Sequence, residues 1–353
     1  MGRRQEWASI AVGVGAATLL LIYLRRRQRQ RSKVVVLATY PSQVSGRPWY
    51  REVVVTGEPS ATSATETQRA LHLGSADNTP ESITRLCRGS ADEPWRPVAS
   101  ALIKPHLQHS LLAFSFMPEG FPAKGRAALM GVAAGSLLHF WRECVPGGGA
   151  LRIDAVELDA AVLEAAREHC GLQACEAASP DGPGVTFHVA DGADFLHTAE
   201  DEEYSLLMVD LDMGALVPAI DSAEANPSKM KGLVRDPTRD MYRVLAEGGV
   251  LVINEYSEEV ASDRLASTLR LVRLLRRFFP EVHVLRTNTS HNTMLIAPVT
   301  PLRAAKGGAS ASAPDVAALA ARASRCGAHI GTGGIDIEAL VRGLPPNRYQ
   351  VYQ

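Results

Sequence analysis

The stretch from Arg126 to Asp212 constrains this chain most. It alternates strand and helix, and its strands end in a small-residue turn or an acid. "RAALMGVAAGSLLHF" reads as strand, turn and helix. "LRIDAVELDAAVLEAAREHCG" reads as a strand ending in an acid, then a helix. "VTFHVADGADFL" repeats that pattern, and "YSLLMVDLD" is a further strand ending in acids. A doubly wound sheet builds a nucleoside pocket at its carboxyl edge in this order. Small residues let backbone approach a ligand, helix amino ends offer N–H groups, and strand-end acids accept from hydroxyl and amine donors.

Each position then has a specific expectation. In the turn Gly131–Ser136, Gly131, Ala133 and Gly135 are candidates for cofactor contact. Glu157, at the tip of the second strand, can accept from both ribose hydroxyls. Asp191 after the third strand can accept from an adenine amino group, with Gly192 letting the loop close over the ring; Asp191 can equally cap a helix. Asp210 and Asp212 follow the fourth strand and are the candidate catalytic acids, placed to hold or deprotonate an amine. His109 could reach the same edge from the preceding helix, although a surface or capping role suits it as well. The loop 213–235 is long for a compact fold, and such loops often bind an acceptor.

Strands are expected at 127–132, 152–157, 185–190 and 205–210, then at "GGVLVINEY", "EVHVLRT" and "NTMLIAP", the last antiparallel. Asp159 and Gly171 bracket a helix over 160–170. Asp236-Pro237 starts another, and a long helix from Ser262 or Asp263 stops at Pro280. Ahead of this body, Lys33–Thr39 and Tyr50–Thr56 read as a β-hairpin, with Gln68–Leu73 a candidate third strand. Residues 74–97 carry no clear signal. After it, "AAKGGASASAP" connects to two short helices over 315–326 and 335–342. The predicted fold is α/β: a Rossmann-like, seven-stranded doubly wound sheet with an N-terminal β-hairpin, a C-terminal helical tail and an N-terminal transmembrane helix. Its boundaries are 1–33, 34–100, 101–298 and 299–353.

The transmembrane expectation rests on Trp7–Leu24, which carries no charge. Eighteen helical residues reach ~27 Å, enough for a hydrocarbon core. "RRRQRQRSK" follows at once, with no small-residue cleavage site before it, so a retained single-pass anchor is expected. Lys/Arg counting faces the body to the cytosol. A short span between basic flanks suits the mitochondrial outer membrane or the endoplasmic reticulum.

Charge narrows the partners. Residues 1–33 hold eight basic residues and one acid; removing them from the chain's 37 and 38 leaves 29 against 37, a net of −8. An acidic body does not suggest a nucleic-acid phosphate track, which needs a basic face, and leaves room for a basic protein acceptor. The five cysteines are scattered, odd in number and without CxxC spacing. They suggest neither a disulfide framework nor a metal site, and they fit a reducing compartment.

"GVAAGSLLHFW", "IDAVELDAAVLEAAREHCGL" and "VTFHVADGADFL", in that order, resemble the spermidine-synthase-like branch of class I S-adenosylmethionine methyltransferases. Within it they are similar to the carboxyl-terminal half of the dual methyltransferases of translation elongation factor 1 alpha. The similarity runs from about Tyr50 to the end and includes "YREVVV", "HSLLAF" and "RRFFPEVHVLRT". The resemblance implies S-adenosyl-L-methionine as methyl donor, with Glu157 on its ribose and Asp191 on its adenine. The implied acceptor is a protein amine, either a lysine or a terminal α-amine. Related synthases often dimerise, which extends the implication to a homodimer through the hairpin. The sequence departs from the family at two places. Ala133 and Ala134 stand where the family turn is richer in glycine, and the donor-gripping acid that aminopropyltransferases carry in that turn is replaced by Val132–Ala134. Asp210 matches the first acid of those enzymes' second motif, but Asp212 is spaced differently and no proline follows. Three functions remain in view: protein-amine methyl transfer, which leads, aminopropyl transfer, and a catalytically inactive membrane-tethered scaffold.

Overall fold

A computed structural model describes residues 34–44, 50–60, 63–117, 125–145, 147–178, 182–211, 236–256, 261–286, 291–301, 316–329, 335–342 and 349–352. The expected anchor Trp7–Leu24 and its basic flank lie outside these residues. Among the described residues no helix is long and apolar enough to cross a membrane.

The valine-rich start of the described chain is a sheet rather than a hairpin. Strands β1 (Val35–Pro41), β2 (Glu52–Pro59), β3 (Glu66–Leu73), β4 (Ser82–Cys87) and β5 (Arg96–Pro97) form an antiparallel meander in sequential order. The first three match the expected segments. The other two lie in the stretch that carried no signal: β5 is two residues long, and β4 is rich in polar side chains. A meander buries one face and wets the other, so alternation replaces the long apolar run that marks a parallel strand.

Helix α1 (Pro105–Ser110) runs into a 3-10 turn (Leu111–Phe116) and leads to the main body. There β6 (Arg126–Met130), α2 (Ser136–Glu143), β7 (Arg152–Glu157), α3 (Ala160–Cys170), β8 (Gly184–Val189), α4 (Gly192–Thr198) and β9 (Tyr204–Val209) alternate. They are followed by α5 (Pro237–Arg243), β10 (Leu245–Tyr256), α6 (Ala261–Leu275), β11 (Val282–Arg286) and β12 (Asn292–Pro298). Helices α7 (Val316–His329) and α8 (Ile337–Arg342) and strand β13 (Tyr349–Tyr352) end the described chain. The main sheet has the order β13-β11-β12-β10-β9-β6-β7-β8. Strands β6 to β10 pair in parallel, and β12 is antiparallel to both β10 and β11.

The sheet therefore has eight strands, not seven. The additional strand is β13, which pairs antiparallel with β11, and it makes the tail more than helical. Tyr349 Oη lies 2.7 Å from His283 Nδ1 across that pairing. Four residues cannot announce a strand by periodicity, so only the exposed edge of β11 creates it.

Helix ends follow the local code. Asp159 caps α3 by accepting from Ala161 N at 2.9 Å, and Gly171 ends it in the left-handed region at φ 75°. Asp236 caps α5, with Pro237 at the first helical position. Successive strand residues feed two cores. Ala127, Leu129, Ile153 and Ala155 face α2, α3, the N-terminal sheet and the tail helices. Ala128, Met130, Val156, Leu207 and Val209 face α4, α5 and α6. Burial on both faces is what makes these strands continuous apolar runs.

Candidate active site at the carboxyl edge

The turn after β6 is fixed by close backbone contact. Gly131 has φ 89°, and its N–H donates to Val156 O at 2.8 Å. A Cβ there would stand 2.2 Å from the carbonyl oxygen of Asp210, so both conformation and space require glycine. Gly135 has φ 75°; a Cβ would meet only the mobile end of Leu172, and conformation is the constraint. Ala133 also lies in the left-handed region, at φ 48°. An alanine there costs roughly 1–2 kcal/mol. The expected departure from a glycine-rich turn thus falls on a position where the backbone favours glycine.

Glu157 ends β7 directly beneath this turn. Its Oε2 accepts from Val132 N at 3.0 Å and Ala133 N at 3.3 Å, and its Oε1 accepts from Asp159 N at 3.3 Å. Burial raises its pKa above the usual carboxylate range, and the backbone amides around it oppose that rise. All these donors are neutral, so a ligand hydroxyl can join or replace them without breaking an ion pair. Asp191 caps α4: its Oδ1 accepts from Ala193 N at 2.8 Å and Asp194 N at 3.2 Å, while Oδ2 takes neither bond. One oxygen thus caps the helix and the other can serve a ligand. Gly192 opens α4, where a Cβ would stand 3.0 Å from the side chain of Leu211.

Three of the exposed large apolar side chains lie at this same edge: Leu158 (42% exposed), Val189 (58%) and Tyr256 (49%), at the ends of β7, β8 and β10. Apolar exposure gathered beside acids is the composition of a pocket for a flat, partly apolar ligand. Carboxylates for hydroxyls and an amine, aliphatic faces for a base and a glycine-bearing turn together fit a nucleoside.

Asp210 sits on the other side of the turn. Its N–H donates to Met130 O at 2.8 Å, and its Oδ1 accepts from Asn254 Nδ2 at 2.6 Å. Asn292 Nδ2 in turn donates to Asn254 Oδ1 at 2.9 Å. The carboxylate of Asp210 can only accept, so the Asn254 NH2 must face it, which leaves Asn254 Oδ1 to accept from Asn292. Asp210 Oδ2 lies 3.9 Å from Nε2 of His106. Burial lowers the His106 pKa, with Lys104 and His109 acting the same way and Asp210 opposing them. The imidazole is therefore neutral at pH 7.

His109 does not reach this edge. Its Nδ1 lies 2.7 Å from the carbonyl of Pro105 within its own helix, and His106, one turn earlier, takes the place beside Asp210. Asp212 lies outside the described residues. Asn254 was detectable in principle: a polar residue near the carboxyl end of an otherwise apolar buried strand signals a site.

The N-terminal sheet is part of this edge. Ser42 Oγ donates to Asp159 Oδ2 at 2.6 Å, and Gln43 N donates to Asp159 Oδ1 at 3.2 Å. From β4, Thr84 Oγ1 donates to Ala134 O at 3.3 Å and lies 2.8 Å from Ser136 Oγ. Both the turn and the residue next to Leu158 are thereby braced from outside the parallel sheet. Among the described residues no group of three or more His, Cys, Asp or Glu is arranged to hold a metal ion.

No family model matches the chain. A polyamine aminopropyltransferase of Clostridioides difficile is 29% identical over 131 residues, which is 36% of this chain and 40% of that protein. The chain thus matches well under half the length of this curated relative. Among solved structures, a probable spermidine synthase from Corynebacterium glutamicum is 15% identical, with a TM-score of 0.53 over 88% of this chain and 95% of that one. Human methyltransferase-like protein 13 in complex with SAH is 18% identical, with a TM-score of 0.44 over 63% of this chain and 92% of that one. The likeness to the probable spermidine synthase shows the fold: a Rossmann-like α/β body of the spermidine-synthase kind.

Proposed function

We propose that this chain is an S-adenosylmethionine-dependent methyltransferase acting on a protein amine, either a lysine or an N-terminal α-amine. The observation that carries the reading is Glu157, a carboxylate at a strand tip held only by neutral backbone N–H groups beside the Gly131–Gly135 turn. Bound S-adenosylmethionine supplies a methyl group activated by its sulfonium. Glu157 accepts from the ribose hydroxyls and Asp191 from the adenine amine, while Leu158 and Val189 cover the base. Asp210, steadied by Asn254, holds the acceptor nitrogen; His106, neutral and close by, can take its proton. Asp212, outside the described residues, is the second candidate acid of the reading. Methyl transfer needs an unprotonated amine in line with the donor, so positioning contributes more than acid–base chemistry. The same proposal holds the body at a membrane through residues 7–24, facing the cytosol at the mitochondrial outer membrane or endoplasmic reticulum, and includes a homodimer.

Aminopropyl transfer is a second reading, favoured by the name of the matching relative. The absence of an acid at Val132–Ala134 weighs against it. Calorimetric titration of the full chain with S-adenosylmethionine and with its decarboxylated form tests both readings. The methyltransferase reading expects tight binding of the intact donor, lost in Glu157→Ala. Preference for the decarboxylated form would favour aminopropyl transfer. Binding of neither by folded protein would leave an inactive scaffold.

A further inference from the structure

We propose that Tyr256 is a specificity-determining residue of the acceptor side, an aromatic face that grips a nitrogen the more firmly the more methyl groups it carries. The inference rests on reading the Asp210 edge as the acceptor side. Tyr256 ends β10 and is exposed. Leu158 and Val189, the apolar side chains assigned to the base, lie at the ends of β7 and β8. In the order β10-β9-β6-β7-β8, Tyr256 stands three strands from β7, about 14 Å at the usual strand spacing. It is therefore across the turn from the base and on the side of Asp210.

Strand register puts Tyr256 on the same face as that acid. Alternate residues of β10 feed opposite cores, Val250 and Val252 the first, Leu251 and Ile253 the second. Asn254 and Tyr256 continue the first set and Glu255 the second. The contacts of Glu255 agree, because its carboxylate accepts from Ser267 Oγ at 2.7 Å and Thr268 Oγ1 at 2.6 Å on α6, the helix that packs on the second core. Met208 belongs to the first core, so Asp210, two residues on, falls on that face as well. Asp210 Oδ1 lies 2.6 Å from Asn254 Nδ2, and Tyr256 is two residues, about 7 Å, further along the strand. Across the sheet Tyr256 is opposite Asn292, whose amide reaches Asn254 Oδ1 at 2.9 Å. Asp210, Asn254, Asn292 and Tyr256 are thus contiguous on one face. The His291 ring meets the tyrosine ring edge to face, with centroids 6.2 Å apart and planes at 78°, and this contact restrains it.

A primary ammonium is compact, strongly hydrated and served best by acceptors such as Asp210. Each added methyl group removes an N–H and spreads the charge over apolar surface. The carboxylate then loses a hydrogen bond, while an aromatic face gains contact, as in the recognition of quaternary ammonium ions. A nitrogen held against Asp210 has its substituents within reach of a ring ~7 Å along the strand. The acid holds the cation at every stage, and the tyrosine discriminates by its methyl groups.

The test is calorimetric titration of the full chain, saturated with S-adenosylhomocysteine so that no transfer occurs, with n-butylammonium and with n-butyltrimethylammonium. Tyr256→Leu keeps an apolar side chain and removes the ring. It should lower affinity for the quaternary ion about tenfold and for the primary ion less than threefold. Tyr256→Phe keeps the ring and should keep both affinities. Asp210→Asn should weaken both ions. Tyr256→Thr, a residue suited to a strand, covers the case in which the leucine variant does not fold. Equal losses for the two ions in the variants without a ring would overturn the proposal, as would an unchanged affinity for the quaternary ion. Donor binding is measured first. Failure of wild type to bind S-adenosylmethionine or S-adenosylhomocysteine would sink the transferase reading and this inference with it, whereas donor binding without the Tyr256 effect would sink this inference alone.

Discussion

Asp154 and Glu157 lie three residues apart in β7 and have opposite surroundings. Asp154, 4% exposed, accepts from Arg126 Nε at 2.7 Å and from Tyr204 Oη at 3.1 Å, and lies 2.9 Å from His188 Nε2. Burial alone would raise its pKa, but His188 and Arg126 more than offset it, and the net shift is downward. Glu157 is part-buried, has only backbone donors, and desolvation shifts its pKa upward. An acid bonded to a guanidinium and to side chains of two neighbouring strands fastens those strands together. An acid held by neutral amides can be shared with a ligand. One sheet thus carries a structural acid toward its amino edge and, in the function we propose, a binding acid at its carboxyl edge.

Substituting the two acids tests this contrast most strongly. Asp154→Ala should lose about 3 kcal/mol of stability in urea unfolding, because it removes the shared acceptor of Arg126 Nε and Tyr204 Oη, although Arg126 keeps Glu203. Glu157→Ala should cost about 1 kcal/mol of stability yet lower donor affinity about a hundredfold. If the two losses were exchanged, the division of the sheet would be wrong.

Acid should separate the two regions next. His139, beneath the turn beside Cys175 at 3.0 Å, is pushed down to about 4 by burial. In the unfolded chain it binds a proton below about pH 6.5. Between pH 6.5 and 4 the unfolded state therefore holds the extra proton, and stability falls on acidification by up to ~3 kcal/mol. His72 and His106 are lowered as well and add to the same slope. Asp154 contributes its loss only at lower pH, as acid titrates through its depressed pKa. Thermal melts across that range should show the slope, and His139→Gln should flatten it.

The caps give a smaller and sharper comparison. Asp191→Ala and Asp236→Ala each remove a helix cap and should each cost about 1 kcal/mol. Only the first should also weaken donor binding, by about tenfold in calorimetry. Equal effects on binding would reduce Asp191 to a cap. Smallest of all, Ala133→Gly should raise stability by about 0.5 kcal/mol, the relief of left-handed strain less the added freedom of the unfolded chain. Chemical denaturation would detect it.

The features legible in the sequence are those set by near neighbours. The conformation of the turn at Gly131–Gly135 and the caps Asp159, Asp236 and Gly171 are settled within a few residues, and the acids after β7, β8 and β9 are marked by the apolar strand that each one ends. The misses share a different cause. Strand β13 exists because β11 offers it an edge. His106 rather than His109 meets an acid 104 positions away because of how α1 packs, although the two are one helical turn apart.

The sequence by itself determined the alternating strand–helix order, the two-faced burial of the parallel strands and the ends of most helices. Those depend on hydrophobic period and capping, which act over a few residues. The tertiary structure alone decided that the N-terminal meander has five strands and braces the turn through Thr84. It also decided that the main sheet gains an eighth strand, and that Asp210 is held by Asn254 and Asn292 beside His106. Each of these joins residues far apart in the chain, where no local pattern records which backbone edge or side chain will be left in need of a partner.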